Sequence, residues 1–350
     1  MIVAADRPAG EDARQARVLI VDRGRLIHAS RFHLAEHFRS GDLVIANDAA
    51  TLPASLHGLH DRTGAPIEVR LAGRRTLAPD DVSCFSAVIF GAGDFHTPTE
   101  HRPLPPALDP GDRLTLGPLT AVVGQLLGHP RLAVLRFAGA PDTIWAGLAR
   151  HGRPIQYAHI ASPLALWDVW TAIAGPPVAF EPPSAGFALD WRILAMLRAR
   201  SIGFATITHA AGLSSTGDEA LDARLPFDEP YEIPPTTATA IVRARTRGAR
   251  IVAIGTSVVR ALEDAVGPGG EVRAGAGLAT GRIGPDSRLR VVDAILTGIH
   301  EPGTSHYQLL RAFVDDATLT LANQELCAHA YRTHEFGDFE LIQRSLSPKP

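Results

Sequence analysis

Leu43-Val44-Ile45-Ala46 running straight into Asn47-Asp48 is the stretch that decides the fold. Four consecutive apolar residues read as a buried β-strand. A strand of that kind ending on polar side chains marks the edge where open α/β sheets hold ligands. Asn and Asp are also common turn formers, so a turn explains the pair equally well.

Upstream, Arg17–Val21 (RVLIV) ends in Asp-Arg-Gly and reads as a strand and turn, with Leu26–His28 opening a returning strand. Phe32, Leu34, Ala35 and Phe38 have helical spacing, and Gly41-Asp42 closes that element. Downstream, from about Leu56 to Phe137, the texture changes. Short apolar runs at 67–71, 84–90, 113–116, 121–126 and 132–137 are punctuated by Gly and Pro. This pattern predicts a small β-barrel or sandwich.

From Pro141 the helical period returns. Asp142 is placed to cap a helix over 143–151. Helices are predicted over 191–200, 236–247, from Gly255-Thr256-Ser257 to Asp264, and over 307–313 and 319–331. Strands at 204–208, 250–254 and 291–296 alternate with them, which argues for an α/β domain. The expected architecture is an α/β main domain, 1–57 and 141–350, with a small antiparallel β-barrel inserted as 58–140.

The 350 residues suffice for two domains. A hydrophobic share of 45% with 20% charged residues reads as globular. The net charge of −3 provides no global pull toward nucleic acid, so a polyanion would need a local basic patch. Cys84 and Cys327 have no zinc or redox spacing, which points to a reducing cytoplasm. No signal peptide or apolar run of membrane-spanning length is read.

Several groups could carry chemistry. Ser184, Ala185 and Gly186 allow a ligand close to the backbone. Gly255-Thr256-Ser257 follows a strand and opens a helix, a setting suited to an anion, although it equally suits a simple capped turn. Arg260 and Glu263 are spaced for a salt bridge. His209 and His300 each follow a strand and could serve as acid or base. His306, His329 and His334 have no recognised metal spacing, so no metal is expected.

In order, these segments resemble one family. Gly41–Asp48 with Pro53-Ala54 is similar to "GDLLVxNDTxVxPARL". Pro183-Ser184-Ala185-Gly186 is similar to "PTAGLHF", and Ile254–Glu263 to "VGTTSVRTLE". Glu229 with Tyr231 and Glu232 resembles an acidic segment before a helix. Val292–Pro302, with Thr297 and His300, follows "VDxLxTNFHxP". Tyr331-Arg332 through Asp338 and Ile342 follows "YRFFSYGDAMLI".

The family resembled is the S-adenosylmethionine:tRNA ribosyltransferase-isomerases of queuosine biosynthesis. The resemblance implies an α/β domain with an inserted barrel. It implies S-adenosyl-L-methionine as co-substrate, tRNA as partner, and no metal. The ribosyl moiety would move to an aminomethyl-deazaguanine base, giving epoxyqueuosine, adenine and methionine. Catalytic roles would fall to His300, Asp48 and Glu229. Substrate contacts would fall to Asn47, Ser184, Ala185, Gly186, His209, Gly255, Thr256, Ser257, Arg260, Thr297, Tyr331 and Asp338. A monomer in the cytoplasm is expected.

The chain departs from the pattern at Ala49, Ala188, Phe227, Gly298 and Thr333-His334-Glu335, all inside the matched motifs or next to them. These departures imply a rebuilt site. They leave open a small nucleoside or amine acceptor, or nucleoside or tRNA binding without turnover. The stretches 154–157 and 164–170, the latter with two Trp, are expected either to shape an acceptor pocket or to form a buried helix.

Overall fold

The structure is a computed structural model and describes residues 2–8 and 15–345. Its centre is a nine-stranded mixed sheet. The strand Leu43–Asn47 lies in the middle, buried at every position. It pairs in parallel with Gly203–His209 on one side and Ile251–Ile254 on the other. Ile251–Ile254 pairs in parallel with Ala294–Gly298. Phe339–Gln343, Arg17–Asp22 and Arg25–Ser30 continue that side to one edge. Glu229–Ile233 and Gly275–Ala279 extend the other side as antiparallel strands.

The apolar run is uninterrupted because both sheet faces are covered. Leu43 and Ile45 pack with Ile241, Val258 and Leu262 on one face. Val44 and Ala46 pack with Leu34, Ile193 and Leu197 on the other. Full burial of each large aliphatic side chain contributes roughly 1.5–3 kcal/mol.

The inserted unit is a closed six-stranded antiparallel barrel. Its strands are Ser55–His60, Ala65–Gly73, Cys84–Phe90, Arg113–Leu116, Leu119–His129 and Leu132–Phe137. Its interior is mainly aliphatic and aromatic, while Glu68 and Arg70, which alternate with the inward Ile67, Val69 and Leu71, are buried on its outer face together with Arg102. Glu68 accepts from Ser55 Oγ and Arg70 Nε, both at 2.8 Å, and also contacts Arg102.

Several local expectations change. Residues 31–37 form a 3-10 helix rather than an α-helix. The helix Pro141–His151 starts on a proline at its first turn, and Asp142 lies inside that turn instead of capping it. The strand expected at 291–296 begins only at Ala294. Arg260 does not pair with Glu263, whose carboxylate accepts instead from the backbone N–H groups of Arg290, Val291 and Val292 at 2.7–2.9 Å. Residues 164–170 hold only a short 3-10 turn, Leu166–Asp168, with Trp167 and Trp170 exposed. Among the described residues, no helix is long and apolar enough to cross a membrane.

Candidate active site

The carboxyl ends of the parallel strands open into a cleft of about 710 Å³. Such ends are where crossover connections leave room for ligands. The turn after Ile251–Ile254 supplies Gly255, Thr256 and Ser257, and the end of Ala294–Gly298 supplies Thr297 and His300. Ser184 and Ala185 come from the 3-10 turn Ser184–Ala188. Thr99 and Glu100, from a segment between barrel strands, line the cleft as well.

Gly255 caps the following helix at φ +95°, in the left-handed region that favours glycine. A Cβ there would stand 3.4 Å from the Ala185 Cβ. That is ordinary contact, so the backbone conformation rather than lack of space asks for glycine where the two turns meet at the cleft floor.

Beside that floor, and partly lining the cleft, lies a buried charge cluster. Glu229 Oε1 accepts the Gly212 N–H at 2.6 Å, and Oε2 meets the Arg260 guanidinium. Burial pushes the Glu229 carboxyl up, but Arg260 and then His209 more than offset it, holding the group below the usual carboxylate range. Arg260 also donates to the carbonyls of Ala279 at 2.9 Å and Phe227 at 3.2 Å. Its charge is thus already matched, and an incoming anion would have to compete for it.

His300 is half-buried, with Nε2 2.7 Å from Thr297 Oγ1. Its ring lies 4.9 Å from that of His306. Burial, and then the neighbouring His306 and His334, hold its pKa well below the ordinary histidine value. The imidazole is therefore unprotonated at neutral pH, as a proton acceptor needs to be.

The structure separates the remaining sequence candidates. Nine of them line the cleft: Ser184, Ala185, Glu229, Gly255, Thr256, Ser257, Arg260, Thr297 and His300. Asn47 and His209 lie behind the lining, fully buried. Asn47 Oδ1 accepts the His209 N–H at 2.9 Å, and its Nδ2 donates to the His209 carbonyl at 2.9 Å. Asp48 is also outside the lining and accepts from Thr208 Oγ1 at 2.7 Å. Gly186 packs against Thr171, where a Cβ would come within 2.8 Å of the Thr171 methyl. Tyr331 and Asp338 lie outside the lining in an anchor: Asp338 accepts from the backbone N–H groups of Arg17 and Arg332, and Arg17 covers the Tyr331 ring at 4.0 Å.

Sequence reading missed Glu181. Tyr157 donates to its Oε1 and the Ser214 N–H donates to Oε2 at 3.0 Å. Burial outweighs these bonds and pushes its carboxyl up to about 7. The available signal was a carboxylate directly ahead of Pro182-Pro183-Ser184, in an otherwise small and apolar run. Ile155 and Tyr157 line the cleft too, whereas Trp167 and Trp170 do not.

Residues 2–342 match the protein family described as queuosine biosynthesis protein. The chain belongs to this family. The S-adenosylmethionine:tRNA ribosyltransferase-isomerase of Sorangium cellulosum is 34% identical, with 97% of this chain and 95% of that protein covered. The protein of the same name from Pelobacter propionicus is 30% identical, over 96% and 95%. The crystal structure of an S-adenosylmethionine tRNA ribosyltransferase from Thermotoga maritima has a TM-score of 0.50 and 22% identity, covering 97% of this chain and 96% of its own. That likeness speaks for the fold, including the union of sheet and barrel. His334 and Glu335 depart from the motif quoted above, which has Phe and Ser at those places, and both line the cleft.

Proposed function

We propose that this protein transfers and isomerises the ribosyl moiety of S-adenosyl-L-methionine onto the aminomethyl-deazaguanine base of tRNA, releasing adenine and methionine and forming epoxyqueuosine. The reading rests on the full-length match to relatives named for this activity. Those names favour tRNA over a small nucleoside acceptor and favour turnover over binding alone.

The cleft supplies suitable chemistry. A sulfonium acidifies the ribose carbon beside it. His300, unprotonated and exposed to the cleft, accepts that proton. Electron flow opens the ribose ring and expels adenine, which needs a proton as it leaves. Glu181, with its carboxyl near 7, is poised to give one. The base amine then attacks the opened sugar, and methionine departs in the closing step. Ser257 and the backbone of Gly255-Thr256 form a small-residue floor on which the nucleoside can lie close. The protein is read as acting on tRNA in the cytoplasm, as a monomer.

The test is incubation of the purified protein with S-adenosylmethionine and tRNA bearing the aminomethyl-deazaguanine base. Adenine release by chromatography, with epoxyqueuosine in the digested tRNA, is the expected result. Binding of S-adenosylmethionine by calorimetry without any adenine release would reject tRNA as the acceptor.

A further inference from the structure

We infer that His159, His334 and Glu335 form a zinc site on the wall of the cleft. Their ligand atoms all lie within 4.8 Å of one another, and all three residues line the cleft. Two imidazoles and one carboxylate make a ligand set that zinc uses where it keeps a fourth position open.

The separations suit the ion. Zinc holds nitrogen and oxygen ligands at roughly 2.0–2.2 Å in a tetrahedron, which places those ligands about 3.3–3.5 Å apart. His159 Nε2 and Glu335 Oε2 already stand 3.4 Å apart. That nitrogen is shielded from water, and its contact with the Glu335 carboxylate is a loose ion pair rather than a well-aligned hydrogen bond. The same spacing serves two ligands of one ion. The His334 ring lies against that of His159, with centroids 4.3 Å apart, which keeps the second imidazole beside the pair.

The backbone holds His334 in place. Its φ is +66°, a conformation that few non-glycine residues keep. The His334 carbonyl accepts the Gly337 N–H at 3.0 Å, closing the turn, and Asp338 ties the Arg332 N–H just before it.

A second cluster, His28, Glu325 and His329, has a similar ligand set on the outer surface. There His329 Nδ1 lies 3.0 Å from the Glu325 carbonyl and His28 Nδ1 lies 2.9 Å from the Tyr331 hydroxyl. Those nitrogens already have partners, and the side chains are well exposed. The cleft cluster is therefore the stronger site. A zinc ion there leaves its fourth position to water or to an oxygen of whatever occupies the cleft. This inference does not depend on the acceptor being tRNA.

The experiment is calorimetric titration of zinc chloride into the full chain after treatment with a chelator, with circular-dichroism melts to establish that each variant is folded. One zinc per chain is expected to bind the cleft site. His159→Ala, His334→Ala and Glu335→Gln should each weaken it at least tenfold, and His28→Ala should leave it unchanged. Glu335→Gln preserves shape and His334 is exposed, so these two decide the matter should His159→Ala not fold. The site would be overturned by no binding at micromolar zinc. Unchanged binding in Glu335→Gln and His334→Ala, or loss in His28→Ala instead, would equally overturn it.

Discussion

His209 Nε2 lies 3.0 Å from Glu229 Oε2, while its Nδ1 lies 2.7 Å from the Ser257 carbonyl. Both ring nitrogens thus face acceptors, and one ring joins the end of Gly203–His209 to the helix that floors the cleft. Glu229 in turn gathers Gly212, Arg260 and His209. The cleft floor is therefore a set of separate chain segments held by one buried carboxylate.

Arg260→Met should be strongly destabilising, because it leaves Glu229 buried without its main counter-charge. Removing one partner of a buried pair costs about 3–5 kcal/mol. The loss should appear as a lower urea midpoint at constant slope. Without Arg260 the burial effect on Glu229 is opposed only by His209 and the Gly212 N–H, so its folded pKa rises and the loss of stability is larger at neutral pH than in acid. Adding Glu229→Gln to Arg260→Met should recover part of the loss. No recovery in the double variant would show that the two side chains act independently.

The central sheet was legible in the sequence because its strands are buried on both faces and so lose polar alternation, as at Leu43–Ala46. The barrel was legible from its punctuation, although Ser55–His60, reading Ser-Leu-His-Gly-Leu-His, carried no apolar run to reveal it. The site was only half legible. Residues directly after strands, such as Gly255–Ser257 and His300, could be placed from topology. Asn47 and His209 have the same setting, yet their side chains turn inward to bond one another, which no spacing rule shows. Glu181, His159 and Glu335 reach the cleft from irregular segments, and only the folded chain brings them together.

On the barrel strand Ala65–Gly73, Glu68 predicts an acid-sensitive contribution. Burial raises its carboxyl, but Arg70 and Arg102 together pull it down to about 2 from an ordinary 4.5. A lowered folded pKa stabilises fully above about 4.5, and the gain is lost as pH falls through about 2. The contribution is on the order of 3 kcal/mol, at about 1.4 per unit. Glu68→Gln should therefore melt well below the parent protein at pH 7, with the gap narrowing toward pH 2. A gap that stays constant across that range would rule out the charge as its cause.

Glu340 predicts the opposite slope. It sits in the strand Phe339–Gln343, between Thr297 and Leu19 of the neighbouring strands, where the family pattern has Met. Burial alone pushes its carboxyl up to about 8. The folded state then binds the proton more tightly than the unfolded chain, so stability declines as pH rises from about 4.5 through about 8. Glu340→Met should be nearly neutral at pH 4 and stabilising at pH 9, by on the order of 4 kcal/mol. Chemical denaturation at the two pH values measures the difference, and equal effects at both would remove ionisation as the explanation.

The pH dependence of adenine release separates the two groups assigned to proton transfer. His300 must be unprotonated to act as base, and its lowered pKa places the rising limb of the rate well below pH 6.5. Glu181 must be protonated to act as acid, so the rate should fall as pH rises through about 7. His300→Gln should cost between about 10² and 10⁴ in rate and abolish the rising limb. Glu181→Gln should lower the rate and abolish the falling limb. Thr297→Val tests positioning, because the hydroxyl lies 2.7 Å from His300 Nε2 and fixes the ring. Its loss should lower kcat with little change in KM, since a free ring still occupies the cleft but no longer points at the ribose carbon. If Glu181→Gln keeps a falling limb near pH 7, the acid is another group, and Glu181 serves only to hold Tyr157 and Ser214 in the wall.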